Sequence, residues 1–306
     1  MIIIMACYKP LEAFSYYDED TGERKIRFTP GGERIFLPCG QCIGCRIARS
    51  REWATRLIHE ASLHDANCFI TLTYSPEHLP KDGSVHVKDF QDFMKRLRFK
   101  FRNVRIRFFH CGEYGSKLGR PHYHAIIFGF DFPDKELFFV SPNGDRVYRS
   151  KTLEELWDLG ISSIGEVTFQ SCAYVARYVI KKMTGDKAGD HYQGKHPEYV
   201  TMSRRPGIAS GWIEKYSSDV YPQDFVVLDN GKKIKTPRFY DKKFQELDPE
   251  LFSEISSERA YRAAKKFNER MERFGSIFEM YRDLGRKNAA KRYKVDKSLP
   301  RNLENA

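Results

Sequence analysis

The sequence predicts an α+β fold in which a central, mostly antiparallel sheet is flanked by helices. Three observations lead there. Short runs of β-branched and aromatic residues stop at turn residues, amphipathic stretches of helical period separate them, and one pair of strand-like runs is joined by a hairpin-length connection. With 306 residues the chain has room for one sizeable core with extensions.

Residues 1–45 read as short strand-like pieces parted by Thr21-Gly22, Pro30-Gly31-Gly32 and Pro38-Cys39-Gly40, and they end in a cysteine cluster. From Arg46 to Leu63 the apolar positions Ile47, Ala54, Leu57, Ile58 and Ala61 recur at helical spacing, with charges opposite them. Cys68 to Tyr74 reads as a strand that stops at Ser75-Pro76. A second helix gathers Val87, Phe90, Phe93, Met94, Leu97 and Phe101 into one stripe, leaving Lys95, Arg96, Arg98 and Lys100 as a basic exposed face. Arg105 to Cys111 and His122 to Phe130 read as strands joined by the polar connection Gly112 to Pro121. Lys151 to Leu159 reads as a short helix, Ser162 to Phe169 as a strand and Ser171 to Met183 as a helix. This order places the helices on one side of the sheet. Residues 186–240 are turn-rich, with basic clusters at Arg204-Arg205 and Lys232-Lys233, and are expected to hold loops and a few strands. Asp248-Pro249 is an N-cap followed by proline at the first helical position, opening a charged helical tail to about Tyr293.

Lys and Arg number 52 against 41 Asp and Glu, a formal charge of +11, and 14% of residues are aromatic. Basic and stackable side chains together suggest nucleic acid as the first partner, although ribosomal and membrane-surface proteins share the balance. No run approaches the roughly 20 apolar residues of a membrane helix. The opening MIIIMACYKP lacks the basic flank and cleavage site of a signal peptide, so a cytosolic protein without a membrane partner is expected. No P-loop motif appears, so helicase activity is expected from a partner. The seven cysteines include Cys39, Cys42 and Cys45 at a spacing that lets thiolates converge on one soft metal, structural Zn²⁺ or an iron–sulfur cluster. Cys7 is the candidate fourth ligand, and reduced, packed cysteines are the alternative.

Alternation along a strand sends His122 and His124 to one face, about 7 Å apart at the backbone. A bare His-x-His also occurs in structural and surface settings. Glu113, just past the preceding strand, can fold back over the hairpin toward them. Two imidazoles and a carboxylate make an open site suited to Mg²⁺ or Mn²⁺, with Zn²⁺ and other transition metals tolerated; an ordinary turn carboxylate is the other reading. On the helix from Ser171, Tyr174, Tyr178 and Lys181 share one face and Ala176, Val179 and Ile180 the other. Two phenols with a lysine one turn on can supply a nucleophile and a cation for the phosphate it attacks, or simply an aromatic patch. His110 and Cys111 are expected to pack or line the site. Phe108, Phe109, Tyr114 and Trp212 are expected to pack, with base stacking as the alternative.

A strand-borne His-x-His, an upstream Glu and a downstream Tyr-x-x-x-Tyr-x-x-Lys helix, in that order, resemble the signature of the HUH endonuclease superfamily. The blocks PCGQCIGCRIARSREWATRL, FITLTYSPEHLP, GRPHYHAIIFG, YVARYVIKKMTG and MSRRPGIASGW are together similar to microvirus replication initiators, the gokushovirus-like branch in particular. They cover most of residues 1–215. The resemblance implies a cysteine-rich module at 1–45, an HUH nuclease core at 46–215 and a basic, mainly helical extension at 216–306. It implies His122, His124 and Glu113 as ligands of a catalytic Mg²⁺ or Mn²⁺, Tyr178 and Tyr174 as nucleophiles that act in turn, and Lys181 as the auxiliary cation. The implied reaction nicks a single-stranded DNA origin through a 5′-phosphotyrosine link, frees a 3′-OH for rolling-circle synthesis and later rejoins the ends. A host helicase and DNA polymerase are the implied partners, in the cytoplasm of a bacterial host. An HUH transposase or plasmid initiator shares the chemistry; a non-catalytic single-strand binding module is the reading from a different class.

Overall fold

A computed structural model of the chain describes residues 7–22, 24–115, 118–181, 188–228 and 231–298, with the side chains of 178–181, 188 and 295–298 outside that description. In chain order the elements begin β1 (Leu11–Tyr17), β2 (Arg24–Arg27), β3 (Glu33–Leu37), α1 (Ile43–Ala61), β4 (Asn67–Thr73), α2 (Val87–Lys100), β5 (Arg107–Tyr114) and β6 (Pro121–Phe128). They continue β7 (Glu136–Val140), β8 (Arg146–Arg149), α3 (Lys151–Leu156), β9 (Ser162–Gly165), α4 (Phe169–Lys181), α5 (Ala188–Tyr192) and β10 (Tyr199–Met202). The last are α6 (Ser210–Val220), β11 (Phe225–Val227), β12 (Lys233–Lys235), α7 (Arg238–Leu247), α8 (Pro249–Phe274) and α9 (Ile277–Ser298). Two compact units result, one from residues 7–49 and 250–298, the other from 50–249.

In the larger unit seven strands form one sheet in the order β10-β5-β6-β4-β9-β8-β7, each ladder antiparallel. On one face Ile70 and Leu72 of β4 and Tyr123, Ala125 and Ile127 of β6 bury against Phe90, Phe93 and Leu97 of α2 and against Trp157, each no more than 1% exposed. Each such side chain contributes about 1.5–3 kcal/mol by leaving water. The other face is covered too. Trp53 of α1 packs on Phe109 with centroids 5.2 Å apart, and Tyr174 of α4 meets Phe69 edge-on at 6.3 Å. Helices therefore flank both faces rather than one. The reason is in β6, whose side chains are buried almost throughout, so each side of the sheet needs cover.

α1 is the main anchor on that second face. Its Glu60 takes hydrogen bonds from Arg107 of β5 and, at 2.6 Å, from the Ala209 N–H at the entry to α6. Its Arg56 lies between the rings of Trp53 and Phe239, 4.1 and 3.9 Å from their centroids. These contacts seat α6 and α7, two helices inside a stretch expected to hold loops and strands. The β7–β8 hairpin is likewise an addition, at the sheet edge. The basic face expected on α2 is largely paired within the protein: Lys95 with Asp92, Arg96 with Asp158 and Lys100 with Glu155, at 3.1–3.2 Å.

In the smaller unit β2-β1-β3 form an antiparallel sheet. Phe36 of β3 stacks on Phe267 of α8 at 4.9 Å and meets Tyr281 of α9 edge-on at 6.5 Å. The charged tail starts at Pro249 as expected but is two helices, parted at Gly275, which takes the left-handed φ of +70°. No helix among the described residues is long and apolar enough to cross a membrane.

Candidate active site

β5 runs to Tyr114, so Glu113 is a strand residue paired directly opposite His122, not a turn carboxylate folding back over a hairpin. Gly112 permits this. A Cβ there would sit 2.6 Å from the Tyr199 ring of β10, so only glycine lets the two strands close at that point. The registers Glu113↔His122, Cys111↔His124 and Thr71↔His124 put these residues on one face.

The Nε2 atoms of His122 and His124 lie 3.1 and 3.0 Å from the same Glu113 oxygen, Oε1. The other ring nitrogens are tied back. His122 Nδ1 lies 3.1 Å from the Arg120 carbonyl, and His124 Nδ1 lies 3.0 Å from the Thr71 hydroxyl. With the proton on Nδ1, each Nε2 lone pair faces inward, the arrangement of metal-ligating histidines with their outer partners. Burial, the largest influence on the fully buried Glu113 carboxyl, pushes its pKa up, but hydrogen bonds from both histidines and their charge outweigh it and hold it well below the usual range. One donor atom from each of the three residues lies within 4.8 Å of the others, so the set fits a divalent ion.

Tyr174 of α4 enters the same site. Its hydroxyl is 3.3 Å from His124 Nε2 and 3.5 Å from Glu113 Oε1, and the Arg177 guanidinium carbon lies 5.3 Å from its ring centroid. Phe69 stacks on the His124 ring at 5.6 Å. Tyr178 and Lys181 follow on the backbone of α4, but their side chains lie outside the described residues, as does residue 183, the expected end of the helix. Cys111 lines the same face. His110 does not: it lies on the opposite face, stacked on Phe90 at 3.4 Å with Nδ1 2.9 Å from Thr201 Oγ1. Trp212 packs on His59 at 3.6 Å. Sequence reasoning does not single out Thr71 or the Arg120 carbonyl; alternation from Phe69 through Thr71 to Thr73 is the available signal for Thr71.

In the smaller unit the sulfurs of Cys7, Cys39, Cys42 and Cys45 all lie within 4.8 Å of one another. None is in a disulfide, and the Cys7 and Cys42 sulfurs are 3.9 Å apart. Cys42 Sγ accepts from the Tyr8 N–H at 3.2 Å, and the N–H groups of Cys39 and Cys42 donate to Cys7 and Cys39 sulfurs, both at 3.3 Å. Burial pushes the Cys42 thiol up, but hydrogen bonds led by the Tyr8 N–H outweigh it and bring its pKa to about 7. Four converging sulfurs with N–H donors fit a tetrahedral thiolate site.

Residues 67–183, the stretch from β4 through α4, match a family model of replication-associated proteins, the ORF2 type. Over 260 residues the chain is 35% identical to the replication-associated protein VP4 of Bdellovibrio phage phiMH2K, covering 83% of this chain and 81% of that one. The chain belongs to the family of phage replication-associated proteins. Within this family it is also 33% identical over 284 residues to the replication-associated protein ORF2 of Spiroplasma virus 4, covering 86% and 88% of the two chains. Identity to the replication-associated protein ORF4 of Chlamydia phage 1 is 33% over 227 residues, 72% of this chain and 55% of that one. No solved structure matches the chain. The stretch matched by the replication-associated family model contains Glu113, His122, His124, Tyr174, Tyr178 and Lys181; the four clustered cysteines lie before it.

Proposed function

We propose that the chain is a replication initiator with an HUH-type core that nicks and rejoins single-stranded DNA at an origin by tyrosine transesterification. One observation carries the reading: the Tyr174 hydroxyl stands 3.3 Å from His124 Nε2 and 3.5 Å from Glu113 Oε1, a phenol delivered by a helix to a histidine–carboxylate donor set. The relatives' names, all replication-associated proteins of viruses that infect bacteria, supply the biological setting.

Glu113, His122 and His124 would hold Mg²⁺ or Mn²⁺, which when bound polarises an oxygen of the scissile phosphate. Thr71 and the Arg120 carbonyl keep the imidazoles aimed for that task. A tyrosine oxygen on α4 then attacks phosphorus. The bond from phosphorus to the 3′ oxygen breaks, that oxygen leaves with a proton as a free 3′-OH, and the 5′ phosphate stays on tyrosine. Reversal, with a 3′-OH attacking the phosphotyrosine, rejoins the strand and regenerates the phenol. No ATP is consumed, because the phosphodiester is exchanged rather than hydrolysed. Tyr178, one turn from Tyr174, provides a second acceptor for the regenerated origin, and Lys181 places positive charge near the pentavalent phosphate. Arg177 favours the Tyr174 phenolate electrostatically.

Cys7, Cys39, Cys42 and Cys45 hold a structural Zn²⁺ in this reading. The DNA partner is single-stranded origin DNA, and a host helicase and DNA polymerase extend the freed 3′-OH in the cytoplasm of the bacterial host. A labelled origin oligonucleotide incubated with Mn²⁺ tests the reading. Cleavage is expected with the wild type, lost in EDTA and in His122→Ala, and lost in the Tyr174→Phe/Tyr178→Phe double variant. Tight binding without cleavage under any divalent metal would support the binding-module reading instead.

A further inference from the structure

Asp82, His86 and His196 form another cluster of metal-type donors, separate from the triad and the cysteines. One ligand atom from each lies within 4.8 Å of the others. Asp82 and His86 precede α2, and His196 lies between α5 and β10, so the cluster joins two segments distant in sequence; Ser84 and His196 are 112 residues apart. His86 Nε2 is 3.1 Å from Asp82 Oδ1, and the two imidazoles meet edge to face with centroids 5.2 Å apart. All three side chains reach solvent, which leaves an ion a route in.

The backbone carrying these donors is held in place independently. The His86 N–H donates to Tyr123 Oη at 2.9 Å, and that hydroxyl donates to the His86 carbonyl at 3.0 Å. Tyr114 Oη accepts from the Val85 N–H at 3.2 Å and donates to the His196 carbonyl at 2.6 Å. The His196 N–H donates to Ser84 Oγ at 3.2 Å, and the Ser84 N–H donates to Asp82 Oδ1 at 3.1 Å. His196 Nδ1 lies 3.4 Å from the Val85 carbonyl, so a proton on that nitrogen leaves Nε2 free to ligate.

We propose that Asp82, His86 and His196 bind a divalent transition metal, Zn²⁺ by donor type, as a structural clamp. Two imidazoles and one carboxylate favour Zn²⁺ over Mg²⁺ or Ca²⁺, which prefer oxygen. A tetrahedral ion about 2.1 Å from each ligand sets donor atoms roughly 3.4 Å apart, within reach of small side-chain rotations from the spacing seen here. The clamp braces the catalytic strands from behind. Tyr114 follows Glu113 on β5 and Tyr123 separates His122 from His124 on β6, and both tyrosines point to the face opposite the triad. The segment after the tyrosine helix is thereby pinned to the start of α2. The clamp stands whether or not the triad cuts DNA.

The test uses the full chain with Zn²⁺ alone. Native mass spectrometry counts bound ions in the wild type and in the His86→Ala/His196→Ala double variant, and melting temperatures are taken with Zn²⁺ and with EDTA. The double variant is expected to bind one ion fewer and to lose part of the Zn²⁺-induced rise in melting temperature, while melting like the wild type in EDTA. The milder Asp82→Asn keeps the proposal testable should the double variant fail to fold; it is expected to weaken the affected site by about 10-fold or more in chelator competition. Equal ion counts and unchanged affinity overturn the site, and a lost ion with an unchanged thermal rise overturns its clamping role.

Discussion

His122 and His124 each spend one ring nitrogen on an outer partner, so that both Nε2 atoms converge on a single oxygen of Glu113. Orientation of this kind is worth about 10- to 100-fold in metal affinity. Thr71→Val removes the hydroxyl beside His124 Nδ1 without changing side-chain volume much. About 10-fold weaker Mn²⁺ binding is expected, read as free Mn²⁺ by electron paramagnetic resonance, and equal affinity would remove Thr71 from the site. The histidine pair is legible in the sequence because alternation is a local rule. Glu113 is harder to place. Gly112 looks like the end of a strand, and the fit of the Tyr199 ring over it, which shows why the strand continues, is a contact between residues far apart in sequence. The Asp82, His86 and His196 cluster escapes a sequence reading for the same reason.

Among the elements, α1 bears the most consequential packing. His59 is buried on it, with Nδ1 2.8 Å from Tyr240 Oη and its ring on Trp212. Burial brings its pKa down from 6.5 to about 4. The unfolded chain therefore takes up a proton below about 6.5 where the folded one does not, so the stability from a neutral His59 is complete above that pH and is lost as pH falls toward 4, by up to about 3 kcal/mol. The urea midpoint of the wild type is expected to drop more between pH 7 and pH 4.5 than that of His59→Leu; equal drops would contradict the assignment. On the same helix, Glu60 and its partner Arg107 are 4% and 8% exposed at their side chains. Glu60→Leu strands the Arg107 charge and is expected to cost about 3–5 kcal/mol in urea unfolding, whereas a loss below about 1 kcal/mol would mean the pair is better solvated than its burial indicates. The amphipathic stripe of α1 makes the helix visible in the sequence. The helices α6 and α7 are not, because their seats on Arg56 and Glu60 are tertiary, and α6 keeps only a short apolar stripe around Ile213 and Val220.

At the scale of the whole molecule, residues 7–49 and 250–298 form one unit, a long-range association that no local pattern announces. The four cysteines sit in it with Lys9, Arg46 and Arg292 around an adjoining cleft of about 280 Å³. A metal held by four thiolates carries a net negative charge that these cations offset. Stripping the proposed Zn²⁺ with a strong chelator, or Cys42→Ser, is expected to release one ion per chain and to speed limited proteolysis within residues 7–49 ahead of the sheet that spans β4 to β10. Proteolysis unchanged by chelation would mean packed thiols alone hold the unit. The central claim, that a tyrosine of α4 becomes covalently joined to DNA, is tested most directly by mapping the adduct. Trypsin cuts after Arg177 and so parts Tyr174 from Tyr178. After reaction with a single-stranded origin oligonucleotide and Mn²⁺, then nuclease and trypsin digestion, mass spectrometry is expected to find a residual nucleotide on the peptide ending at Arg177 or on the one beginning at Tyr178, and none in EDTA. Tight DNA binding with both peptides unmodified under every divalent metal tried would contradict it.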